Sequence, residues 1–231
     1  MIKAVAFDLD GTLYPNYRLY CRIFPSLLLH PRFYSAFNVI RHELHSLEET
    51  ENTNSTTAEE TSFYDKQASL IADYLKRNRE EIRQKLERMV YRGWEKLFSG
   101  IKTFPHIKEV LTAFHTAGLK LALLSDFPPE RKIVLLELDG FFDLILCSEK
   151  TGALKPSGVP FAAMARSLKL LPGEILYVGN SPRYDVEGAK KAGMKAALIR
   201  RSPFSTGQAR HDGGADFVFQ DYRQLREYVL K

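Results

Sequence analysis

The chain has 231 residues, 45% of them hydrophobic and 26% charged, with 33 Lys and Arg against 28 Asp and Glu. That balance excludes a disordered or fibrous chain and fits one large globular domain or two small ones. The basic residues are scattered in short groups such as Lys190-Lys191 and Arg200-Arg201, which argues against a nucleic-acid partner and leaves a modest preference for small anions.

The opening AVAFDLDGTLYP, residues 4–15, is an apolar strand that stops in Asp8 and Asp10, followed by Gly11 and Thr12. Residues 16–98 contain no convincing strand. HPRFYSAFNVIRHELHSLEE places Phe33, Phe37, Ile40, Leu44 and Leu47 on one helical face. SFYDKQASLIADYLKRN does so with Phe63, Leu70, Ile71, Tyr74 and Leu75, and REEIRQKLERMVYRGWEKL with Ile82, Leu86, Met89, Val90 and Leu97. Between the first two lies a polar stretch, residues 49–62, that reads as a loop.

From Ile101 the pattern alternates. FPHIKEVLTAFHTAG is a helix capped by Gly118, LKLALLSD a strand ending in Ser125 and Asp126, and PPERKIVLLELDG a helix. FDLILC, EILYVGN and KAALIR read as strands; GVPFAAMARSLKL and YDVEGAKKAG read as the helices between them. ADFVFQ and DYRQLREYVL supply a last strand and helix. Apolar strands separated by amphipathic helices predict an α/β fold, a doubly wound and mostly parallel sheet covered on both faces. The expected organisation is a Rossmann-like core of residues 1–15 and 99–231, with residues 16–98 inserted as an all-α cap.

The N-terminus carries no signal-peptide pattern, and no apolar run approaches the ~18 residues of a membrane helix. Cys21 and Cys147 are far apart and form no metal motif. A cytoplasmic protein with two buried thiols and no membrane partner is expected, monomeric or homodimeric.

In an open parallel sheet, ligands bind at the carboxyl ends of the strands. Three strands here end in polar clusters: Asp8 and Asp10, then Ser125 and Asp126, then Asn180 with Asp185 beyond. Lys155-Pro156 forms a fourth, in the loop after FDLILC. Asp8 beside Asp10 makes sense if a divalent cation sits between the strand ends. Mg²⁺ takes hard oxygen ligands and keeps several waters, so one or two carboxylates suffice. With Lys155 and the donors of Gly11, Thr12 and Ser125 this is a phosphate site, and a carboxylate inside it could attack phosphorus.

In order and context, DLDGT, the Ser125 turn, GALKPS and VGNSPRYDVEGAKKAGM resemble the four motifs of the haloacid dehalogenase-like hydrolase superfamily. The resemblance covers residues 1–14 and about 99–200, and the helical insert looks like that superfamily's cap. It implies that Asp8 is the nucleophile of an aspartyl-phosphate pathway and a Mg²⁺ ligand. Asp10 would be the general acid and base, its main-chain carbonyl a further ligand. Ser125, Asp126, Gly11, Thr12 and Lys155 would hold the phosphoryl group. Asn180 and Asp185 occupy the fourth motif, whose acids complete the metal site. That motif usually begins Gly-Asp; here it is Gly179-Asn180, whose neutral amide still offers an oxygen but predicts weaker metal binding. The expected activity is Mg²⁺-dependent hydrolysis of a small phosphorylated metabolite. The alternatives are a non-catalytic phosphate-binding or regulatory member and, opposed by Asp10, a haloacid dehalogenase.

Overall fold

The computed structural model describes residues 1–46, 62–200 and 212–231. Six parallel strands form one sheet: β1 (Ala4–Phe7), β2 (Lys120–Ser125), β3 (Leu144–Cys147), β4 (Ile175–Gly179), β5 (Lys195–Ile199) and β6 (Phe217–Phe219). Their spatial order is β3-β2-β1-β4-β5-β6. The chain runs outward from β1 through β2 to β3, then returns to the other side of β1 with β4. The order therefore reverses at β1, and the carboxyl ends of β1, β2 and β4 flank the resulting crevice.

Alternate residues of each strand face opposite sides, and both sides are covered. Val5, Phe7, Leu121, Leu123, Leu176 and Val178 belong to one buried cluster, with Val110 and Phe114 of α6 (Ile107–Thr116) and Leu225 of α10 (Tyr222–Val229). Ala4, Ala6, Ala122, Leu124, Ile175 and Tyr177 belong to the other, with Phe161 and Met164 of α8 (Gly158–Leu168) and Ala189 of α9 (Gly188–Lys191). The doubly wound α/β reading of the sequence is thus met. Among the described residues no helix is long and apolar enough to cross a membrane.

Between β1 and α6 the described residues form helices and no strand. These are α1 (Asn16–Leu29), α2 (Pro31–Ser46), α3 (Phe63–Leu75), α4 (Arg79–Leu86) and α5 (Arg92–Leu97), with a π-helical turn at Glu87–Tyr91 joining the last two. Ser62 caps α3, its hydroxyl accepting from the Asp65 N–H at 3.2 Å. After β2 comes the short α7 (Glu130–Leu135).

Some sequence expectations are corrected. Helix α1 was not expected, because Pro25 stands inside it and it buries only Leu19 and Ile23, a weak periodic signal. Tyr74 is exposed, not part of the buried face of α3. Cys21 is exposed on α1, whereas Cys147 is buried as expected. The helix read at YDVEGAKKAG, in the fourth motif, begins as a π-helical turn, Pro182–Glu187, before α9. Leu47 and most of the expected loop at 49–62 lie outside the described residues.

Candidate active site

The Asp8 N–H still bonds the Val178 carbonyl at 2.9 Å, so its carboxylate emerges at the last rung of the β1–β4 ladder. The chain then turns sharply: the N–H groups of Thr12 and Leu13 both return to the Leu9 carbonyl, at 3.3 and 3.0 Å. Gly11 makes that turn with φ +92°. A Cβ there would lie 2.4 Å from Asn180 Nδ2 and 2.7 Å from Asn16 Nδ2, so only glycine leaves room for the two amides.

Asp8 is nearly enclosed. The Thr12 hydroxyl donates to Oδ2 at 2.7 Å, and Lys155 Nζ donates to Oδ1 at 2.7 Å. The same ammonium holds Asp185 Oδ1 at 2.7 Å and the Tyr177 hydroxyl at 3.3 Å, which uses all three of its protons. Burial pushes the Asp8 carboxyl up to about 7; Lys155 opposes this, while Asp185 and Asp10 add to it. Burial also works against the charge on Lys155, but Asp185 and Asp8 outweigh it and keep the amine protonated.

Asp10 points elsewhere. Lys132 Nζ donates to both of its oxygens, and the Tyr14 hydroxyl donates to Oδ1. Ser125 Oγ lies 3.5 Å from Oδ2. Burial opposes ionisation here as well, yet Lys132 and Tyr14 prevail and hold Asp10 below the ordinary carboxylate value. Its main-chain carbonyl accepts from Asn16 Nδ2 at 3.1 Å.

The remaining expected residues converge on the same crevice in different ways. The Ser125 hydroxyl accepts from the Phe127 N–H at 3.2 Å and shapes the turn after β2. The Asp126 carboxylate accepts from the Lys155 N–H at 3.2 Å and from Ser148, tying that turn to the lysine loop. Asn180 Oδ1 lies 3.3 Å from the Thr12 hydroxyl. Asp185 faces Lys155 with Oδ1, while its Oδ2 accepts the N–H groups of Asn180 and Ser181 at 3.0 and 2.9 Å. It is therefore occupied in orienting the lysine and the end of β4.

Among the described residues, no three His, Cys, Asp or Glu side chains converge as a metal cage. The oxygens able to meet a hard cation are the Asp8 carboxylate, the Asp10 main-chain carbonyl and the Asn180 amide oxygen. One anionic and two neutral oxygens suit an ion that keeps most of its water. A cation beside Asp8 would also offset the burial that now disfavours its charge, so the donor set fits Mg²⁺.

Above the strand ends is a cavity of about 270 Å³, lined by Asp8, Asp10, Lys132, Lys155 and Asn180 and, from α2, by Asn38, Arg41 and His45. The α2 residues bind the core directly. Arg41 donates to Glu149 Oε1 at 2.5 Å, to the Asp126 carbonyl at 2.6 Å and to Gln67 Oε1 at 2.9 Å. His45 Nδ1 donates to the Lys155 carbonyl, and the ring stacks on Tyr184 at 4.5 Å. Lys132, Arg41 and His45 were not expected from the sequence. Lys132 could have been found: with Pro129, Ile133 and Leu136 it completes an i, i+3, i+4, i+7 stripe, a lysine on a buried face.

Comparison with known proteins agrees with this geometry. A family model described as haloacid dehalogenase-like hydrolase matches residues 2–193. The glyceraldehyde 3-phosphate phosphatase of Methanopyrus kandleri is 27% identical over 99% of this chain and 97% of its own. The phosphoglycolate phosphatase of Salmonella typhimurium is 28% identical over 54% of this chain and 50% of its own. Among solved structures, the L-2-haloacid dehalogenase of Xanthobacter autotrophicus shares the fold, with TM-score 0.66 and 20% identity over 100% of this chain and 99% of that one. With its sheet, its strand-end carboxylates and its buried lysine in place, the chain belongs to the haloacid dehalogenase-like hydrolase family.

Proposed function

We propose that this protein is a Mg²⁺-dependent phosphatase of small phosphorylated metabolites, working through an aspartyl-phosphate on Asp8, with residues 16–98 acting as its cap. The observation that carries this reading is Asp8 itself: a carboxylate at the switch point of the sheet, fixed by Lys155 and Thr12 at the floor of a small cavity. Two relatives are named phosphatases of short phosphate esters, and a cavity of about 270 Å³ is below the size typical of drug-sized ligands.

In the first half-reaction an Asp8 oxygen attacks phosphorus while the bond from phosphorus to the ester oxygen breaks. Asp10 supplies the proton that the leaving oxygen takes up. In the second, Asp10 accepts a proton from water, the water oxygen attacks phosphorus, and the bond to Asp8 breaks. Phosphate leaves and the Asp8 carboxylate is regenerated. Pairing with Lys132 keeps Asp10 ionised at rest, which favours the second half and makes leaving-group protonation the harder step. Lys155 and the Ser125–Phe127 turn position the phosphoryl oxygens. Mg²⁺ held by Asp8, the Asp10 carbonyl and Asn180 would supply further positive charge beside them. A dehalogenase has no phosphate ester whose leaving oxygen Asp10 would protonate, so Asp10 favours the phosphatase.

The test is a panel of phosphomonoesters assayed with Mg²⁺ and with chelator, alongside acid-quenched protein after exposure to ³²P-labelled substrate. Magnesium-dependent release of phosphate and alkali-labile label on wild type, absent from Asp8→Asn, are expected. Hydrolysis of no ester in the panel with magnesium present would overturn the reading.

A further inference from the structure

Buried polar groups are almost always hydrogen-bonded, so an orphan needs an explanation. Among the described residues three buried side-chain atoms have no partner: Asn16 Oδ1, Arg41 Nε and Trp94 Nε1. All three residues line the one cavity above Asp8. Asn16 holds the Asp10 carbonyl and so belongs to the phosphoryl end. Arg41 and Trp94 belong to α2 and α5, helices inserted between β1 and α6.

Arg41 is not a loosely held side chain. It is 6% exposed; Nη1 is spent on Glu149 and Gln67, Nη2 on the Asp126 carbonyl, and the guanidinium lies 4.0 Å over the Phe127 ring. Nε is the one guanidinium nitrogen that meets no acceptor. Trp94 packs against that same Phe127 ring at 5.3 Å and edge-on to Phe37 at 5.9 Å, which fixes its indole plane. Two immobilised N–H donors thus flank one aromatic ring in a cavity that already places a phosphoryl group at its floor. Both can only donate. What they lack is an acceptor oxygen.

We propose that Arg41 Nε and Trp94 Nε1 form a subsite for a carboxylate at the far end of the substrate, so that the enzyme selects short phosphorylated acids. This rests on the phosphatase reading above. A carboxylate is preferred over other acceptors because one donor is a guanidinium, for which a charged acceptor gives the stronger hydrogen bond. The cavity volume limits the spacer between phosphoryl and carboxylate to a few carbons.

The experiment measures equilibrium binding by titration calorimetry of 2-phosphoglycolate, its amide and ethyl phosphate to the Asp8→Asn protein, which cannot turn them over. The same titrations are repeated after adding Trp94→Phe, which keeps the ring and removes the N–H, and after adding Arg41→Lys, which keeps the charge and removes Nε. Affinity should fall in the order carboxylate, amide, ethyl, with the first at least tenfold above the last. Each second substitution should narrow that ratio by about threefold to tenfold; the ratio cancels losses common to all three esters. Equal affinities for phosphoglycolate and ethyl phosphate, a preference untouched by Trp94→Phe, or binding of neither ester would overturn the subsite. Wild-type hydrolysis of the three esters is measured in parallel. Hydrolysis without preference defeats the subsite and spares the phosphatase, whereas selective binding without hydrolysis does the reverse.

Discussion

Lys132 Nζ lies 2.6 Å from Asp10 Oδ1 and 2.8 Å from Oδ2, a nearly symmetric clamp of one ammonium on one carboxylate. The lysine is buried, so the pair is shielded from the screening that weakens surface ion pairs. Removing the ammonium as Lys132→Met should raise the Asp10 pKa, which eases leaving-group protonation but leaves less of the base form for the second half-reaction at neutral pH. The acid limb of the pH–rate profile should move to higher pH, and Lys132→Arg should restore much of it. A profile unchanged in Lys132→Met would separate Lys132 from the chemistry.

Asp8→Asn should lower turnover by about three orders of magnitude or more, the scale of losing a nucleophile that acts with its partners as a unit. Its effect on stability has a definite sign in the metal-free protein. The folded-state pKa of Asp8 is raised from 3.8 to about 7, so ionisation favours the unfolded chain. The stability associated with Asp8 is complete below pH 4 and is lost as pH rises to about 7. Thermal melts in chelator should therefore show Asp8→Asn gaining on wild type between pH 4 and 7, with a constant difference above. Melting curves that stay parallel across that range would contradict the burial assigned to Asp8.

Asn180 brings a neutral oxygen where the fourth motif usually has a carboxylate. A carboxylate at ~2 Å from a cation attracts it far more strongly than an amide does. Asn180→Asp should lower the magnesium concentration for half-maximal activity several-fold. If Asn180 serves only as a spacer beside Gly11, the two magnesium titrations will superimpose.

The two cysteines should react very differently with a thiol reagent. Cys21 is exposed on α1, while burial and the nearby Glu149 carboxylate push the Cys147 thiol up to about 12. One thiol per chain should titrate in the native protein and two after denaturation. Two fast thiols in the native state would place Cys147 at the surface.

Much of the architecture is legible in the sequence because each strand of a doubly covered sheet is an apolar run, and the residues that stop each run are the polar ones at the crevice. Asp8, Ser125 and Asn180 announce themselves by interrupting such a run. Lys132 and Arg41 do not, since a single cation on a helix resembles the solvated side of any amphipathic helix until its stripe is counted. Arg41 stands in register with Tyr34, Phe37 and Leu44, all buried. What it reaches, Glu149 and the Asp126 carbonyl, lies 108 and 85 residues away in sequence, and no local pattern encodes such pairings. Asp185 shows a different limit: its place in the motif is readable, but the two N–H groups and the ammonium that occupy it are set by the turn after β4.

The central position of β1 also has a consequence for how the protein is made. The strand bearing Asp8 leaves the ribosome ahead of the other five strands, yet its two neighbours begin only at Lys120 and Ile175. At roughly 5–20 residues per second, its first pairing partner arrives on the order of ten seconds later. Until then an apolar strand waits with both edges open, while only the helices encoded between can form. The Leu13 carbonyl eventually accepts the Phe104 N–H at 3.0 Å, bringing the chain back beside the place it left. Closure of that long loop precedes either pairing of β1, whereas β2 with β3, or β5 with β6, can pair without it, so the strand that is made ahead of the others is completed late.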